Sequence, residues 1–195
     1  MDTREKLVRT AERLMLRDGY SATRVDEVIR AAGLSKGSFY HFFDSKEALG
    51  LAALEHYYTD RVARLAAGTY ATETGPLRKA QGFLKHASHV AADLWTTGCL
   101  LASLAADAAG SNRAIASALK KRTSDLRALI ADVLSPFATP ETAAAELADQ
   151  MLVCIEGSIV LARIYDDPTY LRRGLEQFRS RLVNPEVRGS AATVK

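Results

Sequence analysis

The chain has 195 residues, 48% hydrophobic and 25% charged, with a formal net charge of +3 and a pI near 8.9. This is the composition of an ordinary globular protein, long enough for one good core or for a small domain joined to a larger one, with neither an internal repeat nor a low-complexity tract. Two cysteines, Cys99 and Cys154, are too few for a disulfide framework. No apolar run reaches the roughly 18 residues of a membrane span and no charged-then-apolar leader precedes the first amphipathic pattern, so a reduced, cytoplasmic protein with no membrane partner is expected.

Helical periodicity runs almost end to end without strand alternation, which predicts an all-α fold of about nine helices. Asp2 and Glu5 stand at capping-box spacing ahead of an apolar stripe, Leu7, Val8, Ala11, Leu14 and Met15, that Gly19 ends. Thr23 is expected to cap a second helix facing inward through Val25, Val28, Ile29 and Ala32 and stopped by Gly33. Ser35 opens a third helix of about seven residues, too short to stand alone and therefore packed through Phe39, Phe42 or Phe43. Asp44 or Ser45 caps a long fourth helix with Leu51, Leu54, Tyr58, Val62 and Leu65 at helical spacing, fading at Gly68.

Further helices are expected from the Gly75-Pro76 loop to Trp95, over Leu100 to Ala109, and from Ser111 or Asn112 to the residue before Pro136. Thr139 is expected to cap the next, with Pro140 at its first position. From Met151 to Tyr165 that helix is apolar nearly all round, implying burial on more than one side. A last helix after Pro168 carries Leu171, Leu175, Phe178 and Leu182 on one face, and residues 185–195 read as a disordered tail.

The second and third helices read as a helix-turn-helix, whose second helix enters the major groove of DNA. Lys36 and Ser38 are placed to meet bases or phosphates, and Gly37 to let backbones approach closely. Thr23 and Lys46 begin helices, where free amides and the macrodipole favour a phosphate, and Arg24 adds charge beside Thr23. From Met1 to Asp60 there are nine Lys and Arg against ten Asp and Glu, so binding must rest on a few placed cations and helix ends.

The stretch Gly33-Leu34-Ser35-Lys36-Gly37-Ser38-Phe39-Tyr40-His41-Phe42-Phe43, with Gly19-Tyr20, Thr23 through Ala32 and Lys46-Glu47-Ala48-Leu49, resembles the TetR family of bacterial transcriptional repressors. The resemblance implies a DNA-binding domain over 1–50, with the fourth helix connecting, and a helical ligand-binding and dimerisation domain over 51–184. It puts Tyr40 on DNA through hydroxyl and ring and His41 through a ring N–H to phosphate, a packing role for one of them staying open. Gly98-Cys99-Leu100-Leu101 and Glu156-Gly157 resemble the subgroup that includes the N-ethylmaleimide reductase repressor, in which a cysteine at this place senses electrophiles or oxidants.

A single short reading helix contacts too few base pairs, so a homodimer is expected, built from the helices near 140–166 and 169–183, with Gly157 and Ser158 allowing close approach. The resemblance implies an effector cavity near Trp95, Cys99, His86, His89, Met151 and Glu156. Each has a plainer reading as core or surface, and Glu156 among apolar neighbours needs Arg163, a ligand amine or a dimer-mate group. His86 and His89 lack the further ligands of a metal site. No cofactor is expected, nor an enzyme, since no nucleophile with its base or phosphate loop is present. The expected function is therefore a ligand-responsive repressor of operator DNA, released by a small molecule or by modification of Cys99. The competing readings are a helical interaction protein without DNA binding and, after it, a small helical enzyme.

Overall fold

The computed structural model describes residues 2–140 and 142–183, so the expected disordered tail lies outside the described residues. Among these there is no strand, and nine helices of seven residues or more are joined by a one-turn helix, α6. No described helix is long and apolar enough to cross a membrane.

The described residues form two compact units that interleave along the chain, one comprising residues up to Val62 with Thr97–Ser124, the other Ala63–Thr96 with the residues from Asp125 on. The first holds α1 (Thr3–Asp18), α2 (Val25–Ala31), α3 (Lys36–Phe42), most of α4 (Lys46–Ala66), α7 (Leu100–Asp107) and the first half of α8 (Arg113–Leu134). The Asp2 carboxylate accepts the Glu5 amide at 2.7 Å and starts α1, whose Leu7, Val8, Ala11, Leu14 and Met15 are buried. His56 Nδ1 on α4 meets Glu12 Oε2 on α1 at 2.6 Å. Of the two possible caps on α4, Ser45 is used: its hydroxyl accepts the Ala48 amide. The stripe α4 buries is Leu49, Ala53, Leu54 and Tyr57, offset from the expected one, because Leu51, Tyr58 and Val62 stay half-buried.

The second unit holds α5 (Pro76–Ala91), the 3-10 turn Thr69–Thr72, α9 (Ala144–Tyr165) and α10 (Thr169–Val183). Helix α5 stops at Ala91 rather than Trp95, and α6 (Leu94–Thr97) restarts after a break. Thr139 does not cap α9. It closes a turn in which its hydroxyl accepts the Thr142 amide at 3.1 Å, so the helix starts at Ala144 with no side-chain cap.

Helices α9 and α10 pack on each other, and Gly174 makes this possible, since a Cβ there would overlap Ser158 Oγ and stand 3.3 Å from Cys154 Sγ. Ser158, expected to ease contact with a second copy, is thus buried within its own subunit. The all-round apolar stretch divides. Met151, Ile159 and Ala162 are buried, whereas Val153, Val160, Leu161 and Ile164 are 72%, 55%, 42% and 67% exposed.

Candidate nucleic-acid interface

Helix α3 has only seven residues, marginal by itself. Phe39, wholly buried, anchors it with a contribution of about 1.5–3 kcal/mol, and Phe43 closes on the same core with ring centroids 5.9 Å apart. Phe42 does not join them: it is 39% exposed and lies edge-on to His41 at 4.7 Å. At seven residues the helix has one inward line of side chains, and Phe39 and Phe43, four apart, occupy it.

The start of α3 is fixed by Ser35, whose hydroxyl accepts the Ser38 amide at 3.1 Å and lies 2.9 Å from the Ser38 hydroxyl. The preceding turn uses Gly33 at φ +62°, a left-handed conformation that favours glycine. The outward face then carries Lys36 with Tyr40 and Gly37 with His41, pairs four residues apart, all exposed. Tyr40 rests its ring edge-to-face on Phe39 at 5.1 Å, which aims the phenol while leaving it 59% exposed. A Cβ on Gly37 would meet only Ser35 Oγ at 3.8 Å, so nothing within the subunit requires glycine there.

Lys36 Nζ lies 3.0 Å from Asp26 on α2, with both side chains about 70% exposed. The Asp26 carboxylate raises the lysine's pKa. Such an exposed pair contributes little and is screened by salt, so a phosphate can displace it. Asp26 was not anticipated, since residues ten apart across a turn carry no pairing signal in sequence.

The other expected contacts divide by exposure. Arg24 is exposed at the start of α2. Thr23, expected as the cap, is 1% exposed, and its hydroxyl donates to Gly19 O at 2.7 Å, so the N-cap position falls to Arg24 without a side-chain bond. The Gly19 carbonyl, just past the end of α1, accepts both the amide and the hydroxyl of Thr23, which holds the side chain back from the amides ahead of it. Lys46 is half-buried, donating to Ser21 O at 3.0 Å with its ammonium 4.5 Å from the centre of the Tyr20 ring, and burial pulls its pKa down.

The residues expected at an effector site differ in burial and fall in both compact units. His86 Nε2–H donates to Arg64 O at 2.8 Å, with its ring 5.8 Å from that of Tyr70, while His89, three residues on, is exposed. Met151 is 1% exposed; Trp95 and Glu156 are half-buried. Cys99, in the first unit, is the N-cap residue of α7. Tyr57, buried in the same unit, has its pKa pushed up by burial first and then by Cys99.

A short aromatic-anchored helix with an exposed polar face, set behind a glycine turn in an all-helical chain, defines a helix-turn-helix DNA-binding regulator. Residues 7–53 match the model for bacterial regulatory proteins of the tetR family, and residues 76–177 match the LmrA/YxaF-like C-terminal domain of transcriptional regulators. The chain belongs to the TetR family of DNA-binding transcriptional regulators.

Among relatives, the HTH-type transcriptional repressor NemR of Escherichia coli K12 is 32% identical over 134 residues, 68% of this chain and 67% of that protein. The HTH-type regulator YxaF of Bacillus subtilis 168 is 30% identical over 179 residues, 90% and 93% of the two chains. The crystal structure of reduced E. coli NemR superposes with a TM-score of 0.76 at 27% identity, covering 91% of this chain and 95% of that one. A TetR regulator from Chloroflexus aurantiacus gives 0.80 at 26% identity, covering 93% and 94%.

Proposed function

We propose that the protein is a homodimeric repressor that leaves its operator when an effector acts on it. The observation that carries the dimer is the outer face of α9. Val153, Gly157, Val160, Leu161 and Ile164 follow one another at spacings of four, three, one and three residues, a helical stripe exposed to solvent. A Cβ on Gly157 would meet nothing within 4 Å, so the subunit makes no use of its smoothness. A self-complementary apolar stripe with a glycine at its middle suits a two-fold axis.

In this reading the DNA contacts come from Arg24, Lys36, Gly37, Ser38, Tyr40 and His41. Thr23 and Lys46 hold the turn that presents them. The DNA-binding part centres on residues 1–50 and is continued by α4, which leads into the region that responds to effector. A small molecule bound near Trp95, His86, His89, Met151 and Glu156 is one trigger. Covalent modification of Cys99 is the other, supported by its place at the start of α7, since cysteines at helix N-termini tend to be reactive, and by a relative crystallised in a form named reduced. Either need disfavour the DNA-bound state by only a few kcal/mol.

The test is selection of duplexes from a random library followed by gel shift. A palindromic duplex should be recovered, Tyr40→Ala and Lys46→Ala should abolish its binding while leaving the dimer intact, and Cys99→Ser should remove release by electrophiles. Recovery of no duplex would argue for a helical interaction protein, and unchanged release in Cys99→Ser would leave the small molecule as the trigger.

A further inference from the structure

The turn between α1 and α2 is held by residues far away in sequence. The Ser21 amide donates to Asp107 Oδ2 at 2.5 Å across 86 positions. The carbonyl of the same Ser21 accepts Lys46 Nζ at 3.0 Å. Gly19, at φ +86°, leaves the room: a Cβ there would stand 3.2 Å from Asp107 Oδ2. One turn earlier on α7, Ser103 Oγ donates to Met15 O at 3.4 Å, and just beyond α7 Asn112 Nδ2 donates to Glu47 Oε2 at 2.6 Å. Helix α7 therefore grips the end of α1, the turn after it and, through Asn112, the start of α4.

We propose that Asp107 is a positioning residue of the DNA reader, setting the α1–α2 turn and hence the seat of α2 and α3 without itself touching DNA. The inference rests on the DNA-binding reading. Three observations separate it from a purely structural role. The donor Ser21 is exposed, and exposed polar contacts contribute little to stability. The carboxylate accepts a backbone amide, which fixes the course of the chain, and the Ser21 amide first, then the Ser21 hydroxyl and Lys46, hold its pKa below the usual range. Thr23, two residues further, ties the same turn back to Gly19 O, so the segment that launches α2 is defined by these few polar contacts. A recognition helix must sit within a fraction of an ångström and some ten degrees of its docking geometry, and a loosened turn spends part of the binding free energy on ordering it.

The experiment uses a palindromic duplex selected by the full-length wild-type protein and a scrambled duplex of the same length. Asp107→Ala should lower affinity for the selected duplex by about tenfold, with the salt dependence of binding and the dimer unchanged and the affinity for scrambled duplex no lower, because no phosphate contact is lost. Asp107→Asn, which keeps an oxygen for the Ser21 amide, should restore affinity to within about threefold of wild type. Asp107→Ala binding the selected duplex as tightly as wild type overturns the proposal. So does an equal loss in Asp107→Asn, which would mean that charge and not the acceptor matters. Failure of the wild type to select any duplex overturns the DNA reading instead, so the two failures are distinct.

Discussion

Truncating Ile164 to alanine tests the dimer surface most directly. Ile164 is 67% exposed on the outer stripe of α9, so a second copy is what would bury most of it. Full burial of an isoleucine side chain is worth about 1.5–3 kcal/mol, and two-thirds of that is about 1–2 kcal/mol per protomer. A two-fold interface contains the residue twice, so Ile164→Ala should weaken the dimer by about 2–4 kcal/mol. At about 1.4 kcal/mol per decade, its dissociation constant should rise about 30- to 700-fold. Sedimentation velocity across nanomolar to micromolar protein reads this shift. Helix content by circular dichroism should stay unchanged, because the exposed part of the side chain packs against nothing in its own subunit. Operator affinity should fall with the dimer, since one α3 spans too few base pairs. A dissociation constant within about threefold of wild type would refute the assignment.

Three further outcomes follow from the first unit. Lys36→Ala should weaken operator binding and lower the slope of log affinity against log salt by about one, as expected for loss of one ion contact, measured by fluorescence anisotropy from low to moderate salt. Gly19→Ala places a side chain at φ +86° and 3.2 Å from Asp107 Oδ2. It should cost about 1–2 kcal/mol, lowering the thermal midpoint by roughly 2–8 °C for a chain of this size. Tyr57→Phe removes the hydroxyl that is electrostatically coupled to Cys99; without that polar group beside the sulfur, alkylation of Cys99 should slow by roughly threefold, followed by mass spectrometry with Cys154 as the internal reference.

The fold class and most helix ends were readable because they depend on local chemistry. Asp2, Ser35 and Ser45 act as caps, and Gly33 ends its helix, for reasons confined to a few residues. Reading failed where two local options compete. Thr23 and Thr139 have the chemistry of caps, but one hydroxyl found the carbonyl of Gly19 and the other closed a turn. In α3 three phenylalanines looked alike, and only the choice of inward line separates Phe39 and Phe43 from Phe42. Of the candidate DNA contacts, the exposed face of Lys36, Gly37, Tyr40 and His41 follows from four-residue spacing. What spacing cannot give is a link across long stretches of chain, and so Asp107 on Ser21 and Asp26 on Lys36 became visible only in three dimensions.

The interleaving of the units also alters the electrostatic argument. Residues 1–60 carry one more acid than base, which suggests a reader with no positive field of its own. The compact unit that contains the reader extends further, to Val62, and adds Thr97–Ser124. Up to Val62 it has ten Lys and Arg with ten Asp and Glu; the added segment contributes Arg113, Lys120, Lys121 and Arg122 against Asp107 alone. Fourteen cations against eleven acids account for the whole formal excess of +3, and the remaining residues balance at twelve each. Net charge acts on encounter at distances comparable with the Debye length, about 8–10 Å near physiological salt, without those side chains having to touch phosphate. The same segment that clasps the α1–α2 turn through Asp107 thus supplies the positive charge that the N-terminal helices lack. A substitution such as Lys120→Glu, outside the expected reading face, should accordingly slow association with DNA at low salt while leaving dissociation unchanged, whereas Tyr40→Ala should act chiefly on dissociation.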